Sequence, residues 1–416
     1  MSTYRMEAPS RKRLFIASCI ALISTAMTFA FRASLEGVWG NEFHLTKEEI
    51  GWIFSPAFWG FTLAIIFGGS LCDWFGMKRL LIFAFVTQTA GVMLYLFAGN
   101  ATMLFAGTVC IGIGNGTIEA ACNPLVVALF PENKTTMLNR FHVWFCGGNV
   151  IGGLIGYSMI SQMNIDWRLM VALLFIPIAL YGYLFMKLTF PATERVAKGV
   201  SSIEMIKACF NPLFLVILFC IILTGATELG TNQWLGALLQ GAGVSGILIL
   251  VVINGVMGLG RAFAGPVVHR INPNGMLIAS MILSVIGLVL LSKTTGIAAV
   301  GSAIIFAAGL CFTWPTMLGF VAEYLPKTGA MGLSLTSGVG MLSVALVVPM
   351  MGKWYDDFRT TALASGASSA TADYTAGADT FLKVAIMPAI VLIIMVIVYI
   401  ARRKVYTAEK KMKLTQ

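Results

Sequence analysis

Charge is scarce in this chain. Asp, Glu, Lys and Arg make up 11% of its 416 residues, against roughly 25% in soluble globular proteins. Acid is scarcer than base: 18 acidic residues stand against 28 basic ones, a formal charge of +10. There are 3 histidines, and the 8 cysteines include no Cys-x-x-Cys pair. That spacing argues against a zinc site and a disulfide framework. The cysteines lie in or beside apolar segments and read as small buried hydrophobes. A P-loop is missing, which leaves ATP-driven pumping without support. No His-Glu-x-x-His motif and no nucleophile–base constellation argues for an enzyme. Neither cofactor nor metal is implied. What the chain has instead is apolar residues, 58% of the total. Disorder is excluded by that figure, and no soluble fold of this size could bury so much. The composition is that of a polytopic membrane protein.

A membrane-spanning helix needs about 20 mainly apolar residues. Twelve stretches qualify: 14–39, 50–72, 80–98, 101–129, 138–162, 167–186, 211–235, 243–267, 274–292, 297–323, 329–352 and 380–401. Arg11-Lys12-Arg13 before the first could mimic a signal peptide, but the apolar core that follows is too long, so it is kept as a transmembrane helix. Orientation follows from basic residues in the loops. With the N-terminus inside, the inner segments hold 21 Lys and Arg and the outer ones 6. Both termini are therefore expected to be cytoplasmic. The same bias explains the net charge as topology and leaves a nucleic-acid partner without support. Inner loop 187–210 divides the chain into a bundle over 1–186 and a second over 211–416. The longest outer stretch, 353–379, is rich in Ala, Ser, Thr and Gly and is expected to be a mobile connector.

The two halves carry a weak repeat. Gly69-Ser-Leu-Cys-Asp73-Trp-Phe-Gly76-Met-Lys78-Arg79 closes the second span, and Gly265-Pro-Val-Val-His269-Arg270 follows the eighth. Gly114 and Pro131 pair with Gly309 and Pro326 at a similar offset. Transporters are commonly built from such repeats, with the substrate site between them at mid-membrane. In the first copy, Gly69 suits close helix approach. Asp73 could hydrogen-bond a helix N-terminus of the other half, and Lys78 and Arg79 could hold the loop at the inner surface, the set acting as a gate. The pattern G-x-x-x-D-x-x-G-x-K-R, with twelve spans in two halves, resembles the major facilitator superfamily. That resemblance implies an all-α membrane protein of two pseudo-symmetric six-helix bundles rocking about a central cavity. His269 departs from it, standing where an Asp is usual.

Ionisable groups inside the membrane are costly and are functional candidates by default. Three acids, Glu36, Glu119 and Glu228, fall well inside spans, and Arg32 is the base among them. Asn115, Glu119 and Asn123 recur every four residues and so line one face of the fourth span. A carboxyl group there could take a proton from one side and release it to the other, while the amides bind hydroxyl groups. The alternative is an interhelical hydrogen-bond ladder. Thr224, Glu228 and Asn232 repeat the arrangement in the seventh span, with function and structural glue equally weighted. Asn139, His142 and Asn149 follow one another at helical spacing in the fifth, where His142 is more readily structural than a proton relay. Arg32 and Glu36 have ion-pair spacing, and their mutual pairing is the expectation. Were Glu36 turned elsewhere, Arg32 would be free to hold a carboxylate or phosphate bidentately. Phe312-Thr-Trp314-Pro315 offers an aromatic platform for a sugar ring, against a core tryptophan as the commoner case, and Pro315 marks a helix irregularity. Gly112-Ile-Gly114-Asn-Gly116 is no dinucleotide fingerprint, because it lies within a span.

Glu119-Ala-Ala-Cys-Asn123-Pro124, Leu138-Asn139-Arg140-Phe141-His142 and Gly147-Gly148 resemble the fucose-permease branch of the superfamily. Glu228 with Trp234, and Gly260-Arg261, fit the same pattern. The resemblance implies proton-coupled sugar uptake, with Glu119 matching the branch's proton and substrate acid. Ala33 stands where the branch has an acid in its first helix, so that role does not carry over, and Arg32 beside it leaves an anionic sugar open. Gly148-x-x-x-Gly152-Gly153 reads as helix packing. It is similar to the fifth-helix motif of drug/proton antiporters but lacks their proline. The expectation is a multi-pass protein of the cytoplasmic (inner) membrane, acting as a monomer and importing a monosaccharide or polyol with H+. Glu119, Glu228 and Glu36 are the coupling candidates. Asn115, Asn123, Asn139, His142, Asn149, Asn232, Trp314 and Arg32 are the pocket candidates. Gly69, Asp73, Gly76, Lys78, Arg79 and Arg261 are the gating candidates. Alternatives are a symporter of an organic anion held by Arg32, Na+ as the coupling ion, and a non-transporting nutrient sensor. The tails, 1–13 and 402–416, are short for the signalling domain that a sensor would need.

Overall fold

The computed structural model describes residues 8–45, 47–193, 196, 199, 201–231 and 246–403. Among them, eleven helices are long and apolar enough to cross a membrane, and a shorter apolar helix joins them. In chain order these are α1 (Ser10–Glu42), α2 (Glu49–Phe75), α3 (Met77–Leu96), α4 (Ala101–Leu129), α5 (Lys134–Gln162), α6 (Trp167–Lys187), α7 (Pro212–Gly230), α8 (the shorter one, Ile249–Ala262), α9 (Arg270–Leu291), α10 (Gly296–Tyr324), α11 (Pro326–Ala364) and α12 (Ser369–Ala401). Hydropathy finds these elements because the backbone can satisfy its own hydrogen bonds in lipid only as helix.

Punctuation follows local chemistry. Gly76 alone separates α2 from α3, at φ 82°, a conformation that a Cβ disfavours. Asn100 caps α4 by accepting from the Met103 amide. Between α6 and α7 a short linker helix, Ser202–Cys209, starts with a reciprocal capping box of Ser201 and Glu204, a strong local start signal. α10 breaks near Phe312, where the chain turns before Pro315. Two single π-turns interrupt the rest, Tyr157–Gln162 at the end of α5 and Ala226–Gly230 in α7.

Residues 353–379 correct the sequence-based expectation. They are not a loop: α11 runs to Ala364 and α12 starts at Ser369. Alanine-rich sequence favours helix, and the two extensions fasten to each other. Arg359 pairs with Asp373 at 2.5 Å, and the Lys383 ammonium lies 4.5 Å from the Trp354 ring centre.

Helices α4, α1 and α5 form much of the packed interior, with α4 against α2 and α3, and α1 against α5. The glycines of the fourth span serve this packing. Gly112 and Gly116 face the α2 backbone at Pro56 and Phe61. Gly148 and Gly152 do the same for α5 against α1. The first six helices meet the last six along α2–α11, α5–α8 and α5–α10.

Candidate functional site

A cavity of about 370 Å³ lies between the two sets of helices, within the roughly 300–1,000 Å³ of small-molecule sites. Its walls come from α1, α2, α4, α5, α7, α8, α10 and α11. Its ionisable lining groups are Arg32, Glu36, Glu119, His142, Glu228 and Arg261. The rest is largely apolar and includes the aromatic side chains of Phe29, Phe54, Phe58, Phe61, Phe145 and Trp314.

Two polar clusters stand in this wall. In the first, Asn123 Nδ2 donates to Glu119 Oε2 at 3.0 Å. The amide oxygen of Asn123 is 3.3 Å from His142 Nε2. With the amide donating to the carboxylate, its oxygen is the acceptor, so His142 carries its proton on Nε2. The other carboxylate oxygen of Glu119 has no hydrogen-bond partner among the described residues and belongs to a residue of the cavity lining.

In the second cluster, Glu228 sits in the π-turn of α7, a helix irregularity often found at functional sites. Arg261 Nη2 contacts Glu228 Oε1 at 2.9 Å, with both side chains buried. Thr313 donates to the second oxygen at 2.6 Å. Arg261 also donates through Nε to the Cys311 carbonyl at 2.7 Å, and through Nη1 to Cys146 Sγ at 3.1 Å and the His142 carbonyl at 3.4 Å. One guanidinium thus ties α8 to α7, α10 and α5. Arg261, a gating candidate that the inner count of 21 includes, thus lies in the cavity wall. Lys134 is also buried, donating to the Ala322 carbonyl at 3.0 Å. Without these two the inner count is 19 against 6, and the bias survives.

Several pocket candidates fall elsewhere. Asn115 is fully buried away from the cavity, bonded to Gln88 at 2.6 Å and Thr28 at 2.9 Å. Helical periodicity explains the miss: a step of four residues turns the face by about 40°, so eight residues fan it by about 80°. Asn123 touches Glu119 but does not line the cavity. Asn139 bonds Thr316 at 3.2 Å, nearer the linker end of the bundle. Asn149 does line the cavity and donates to Asn254 at 3.2 Å. Asn232 lies outside the described residues. Asn254, Thr313 and the phenylalanines escaped the sequence reading, since isolated Asn, Thr and Phe in a span carry no signal until the helix is oriented.

Arg32 does not pair with Glu36. Among the described residues it has neither ion pair nor hydrogen bond. Its guanidinium carbon lies 4.7 Å from the ring centre of Phe29, 5.3 Å from Phe58 and 5.6 Å from Phe54. Glu36, one turn on, is exposed at the cavity.

The end of the bundle that carries the linker is closed. Asn133, at the N-cap position of α5, makes no side-chain cap. Glu323 of α10 does so from across the interface, accepting from the Thr135 amide at 3.2 Å and its hydroxyl at 2.6 Å. A carboxylate on these otherwise orphaned amides is favourable. At Gly69, a Cβ would come within 2.6 Å of Ser334 on α11. Asp73 accepts from Thr193, beyond the end of α6, at 2.5 Å. Lys78 donates to the carbonyls of Met186 and Leu188 at 2.9 and 3.0 Å. Arg79 is exposed. These contacts of Asp73 and Lys78 anchor the start of the linker, and Glu323 spans the interface. Glu323→Ala should raise amide hydrogen exchange over residues 134–140 by about fivefold to thirtyfold, the range that one or two kcal/mol provides. Unchanged exchange would remove the cross-interface cap as a gate.

A bundle of membrane-length apolar helices around a central cavity, closed toward one end, defines a multi-pass membrane protein. The model of the Major Facilitator Superfamily matches residues 14–348, and the chain belongs to that family. It is similar to FucP in the outward conformation, with 18% identity, a TM-score of 0.71, and coverage of 92% of this chain and 99% of that one. It is also similar to the proton:xylose symporter XylE, with 14% identity, a TM-score of 0.73, and coverage of 92% and 95%. Sequence relatives include Monosaccharide-sensing protein 2 of Arabidopsis thaliana, 26% identical over 150 residues, 35% of this chain and 20% of that protein. Another is the D-galactonate transporter of Escherichia coli, 24% identical over 204 residues, 47% of this chain and 46% of that protein. The matched region spans less than half the length of either relative.

Proposed function

We propose that this protein is a secondary transporter that carries a sugar or sugar derivative together with a proton by alternating access, in the cytoplasmic membrane of its cell. The observation that carries the reading is Glu119, a buried carboxyl group in the cavity lining, held through one oxygen by Asn123 and with no hydrogen-bond partner on the other among the described residues. Such a group can bind a proton with the solute and release it when the opposite side opens. Asn149, Asn254 and His142 supply hydrogen-bonding groups to the same cavity, and the aromatic walls suit the C–H faces of a sugar ring. The similarity to XylE, a proton:xylose symporter, supports this reading. Glu228 is less suited to carry the proton, because Arg261 and Thr313 occupy its two oxygens. The linker-bearing end, rich in Lys and Arg, is taken as cytoplasmic.

The test is proton movement. Purified protein in liposomes with an internal pH dye should acidify the lumen when a transported solute is added outside. The signal should be unchanged when Na+ replaces K+. Solute flux without pH change, or dependence on Na+, would overturn proton coupling.

A further inference from the structure

Arg32 is the buried cation that this reading leaves without a task. It is 7% exposed, lines the cavity, and among the described residues has no acid within ion-pair distance and no hydrogen bond. Three phenyl rings hold it instead. Ring faces attract the delocalised cation but accept none of its N–H donors in a strong hydrogen bond. The cage therefore orients the guanidinium while leaving its donor fork available. A planar fork of that kind matches a carboxylate bidentately.

Charge balance points the same way. Arg261 and Glu228 neutralise each other by direct contact. Glu36 lines the same cavity but is exposed and makes no ion pair with Arg32. That leaves Arg32 and Glu119 as the buried lining groups without an ion-pair partner among the described residues. When Glu119 binds a proton, Arg32 becomes an uncompensated cation inside the membrane, which is costly. A neutral solute would leave that cost standing at every loaded crossing. An anionic solute removes it, because the loaded and empty cavities then carry the same net charge. One anion and one proton move together, and no net charge crosses.

We infer that Arg32 anchors a carboxylate and that the solute is a hydroxylated monocarboxylate of monosaccharide size, carried electroneutrally with one proton. This rests on the proton-coupled reading above and narrows its solute from a sugar to a sugar acid. Glu119 and His142 line the same cavity, where hydroxyl groups would be recognised.

The experiment compares two aldonates, gluconate and galactonate, with their parent aldoses, glucose and galactose. Binding is read by calorimetry on the full chain in nanodiscs. Flux is read in liposomes under an imposed K+ diffusion potential. An aldonate should bind at least about tenfold more tightly than its aldose, and its uptake should not respond to the potential. Arg32→Gln should weaken aldonate binding roughly tenfold to a hundredfold, the worth of a charged hydrogen-bond pair. Arg32→Lys keeps the charge but not the fork, and should fall between. Thermal unfolding of both variants separates lost affinity from lost fold, and Arg32→Lys keeps the test open should Arg32→Gln not fold. Aldonate binding that persists unchanged in a folded Arg32 variant would overturn the anchor. So would aldoses that bind and move with protons while aldonates do not, an outcome that leaves proton coupling intact. Failure of all four solutes to bind would overturn the solute class. Aldonate binding through Arg32 without proton movement would keep the anchor and sink the coupling reading.

Discussion

Arg261→Ala is expected to abolish transport and to destabilise the protein by about 3–5 kcal/mol, the cost of breaking a buried ion pair by removing one partner. The variant leaves Glu228 buried with Thr313 as its remaining partner. It also strips donors from the Cys311 and His142 carbonyls. The pair lies at 2.9 Å with side-chain exposures of 2% and 7%, so solvent screening is slight. Thermal unfolding in detergent measures the loss. Removing the second charge, in Arg261→Ala with Glu228→Gln, should recover more than half of it, because no uncompensated charge remains. Recovered stability with no recovered transport would assign Arg261 to the transport cycle as well as to the fold. Arg261→Ala with wild-type stability and flux would show that the pair does neither.

Glu119→Gln should separate exchange from accumulation. The amide keeps the shape of the carboxyl group and can still accept from Asn123, but it cannot bind and release a proton. Solute counterflow across liposomes needs no proton and should persist within about threefold of wild type. Net accumulation should vanish. An inward gradient of one pH unit stores about 1.36 kcal/mol per proton, enough for about tenfold accumulation in one-to-one symport. Wild type should approach that ratio and the variant should stay near unity. A Glu119→Gln protein that still accumulates solute under a pH gradient would place the proton elsewhere. His142, linked to Glu119 through Asn123, would then be the next residue to replace.

The membrane helices were legible in the sequence because hydropathy is a local property. A run of some 20 apolar residues commits a segment to helix in lipid whatever its neighbours do. The extension at residues 353–379 was misread for the converse reason. Ala, Ser, Thr and Gly are too weakly apolar to signal a span, and the contacts that hold the two helices together, Arg359–Asp373 and Lys383–Trp354, join residues from separate elements. The polar residues divided along the same line. Glu119 and Glu228 drew notice because an acid in a span is expensive, and both line the cavity. Asn115 looked equivalent to Glu119 four residues away, yet the turn of the helix sends it to Gln88 and Thr28.

The sequence by itself determined an all-helical membrane chain, a charge bias between the loops of its two sides, and a short roster of costly intramembrane groups. Each of these depends on composition within one segment. The tertiary structure alone decided who meets whom. Arg261 reaches Glu228, 33 residues away, because the π-turn and the packing of α7, α8 and α10 aim both side chains at one point. Arg32 turns from Glu36, one helical turn distant, because three phenyl rings from α1 and α2 enclose its guanidinium. Pairing in a membrane depends on how each helix is rotated and seated against its neighbours, and that rotation is a property of the whole packed bundle.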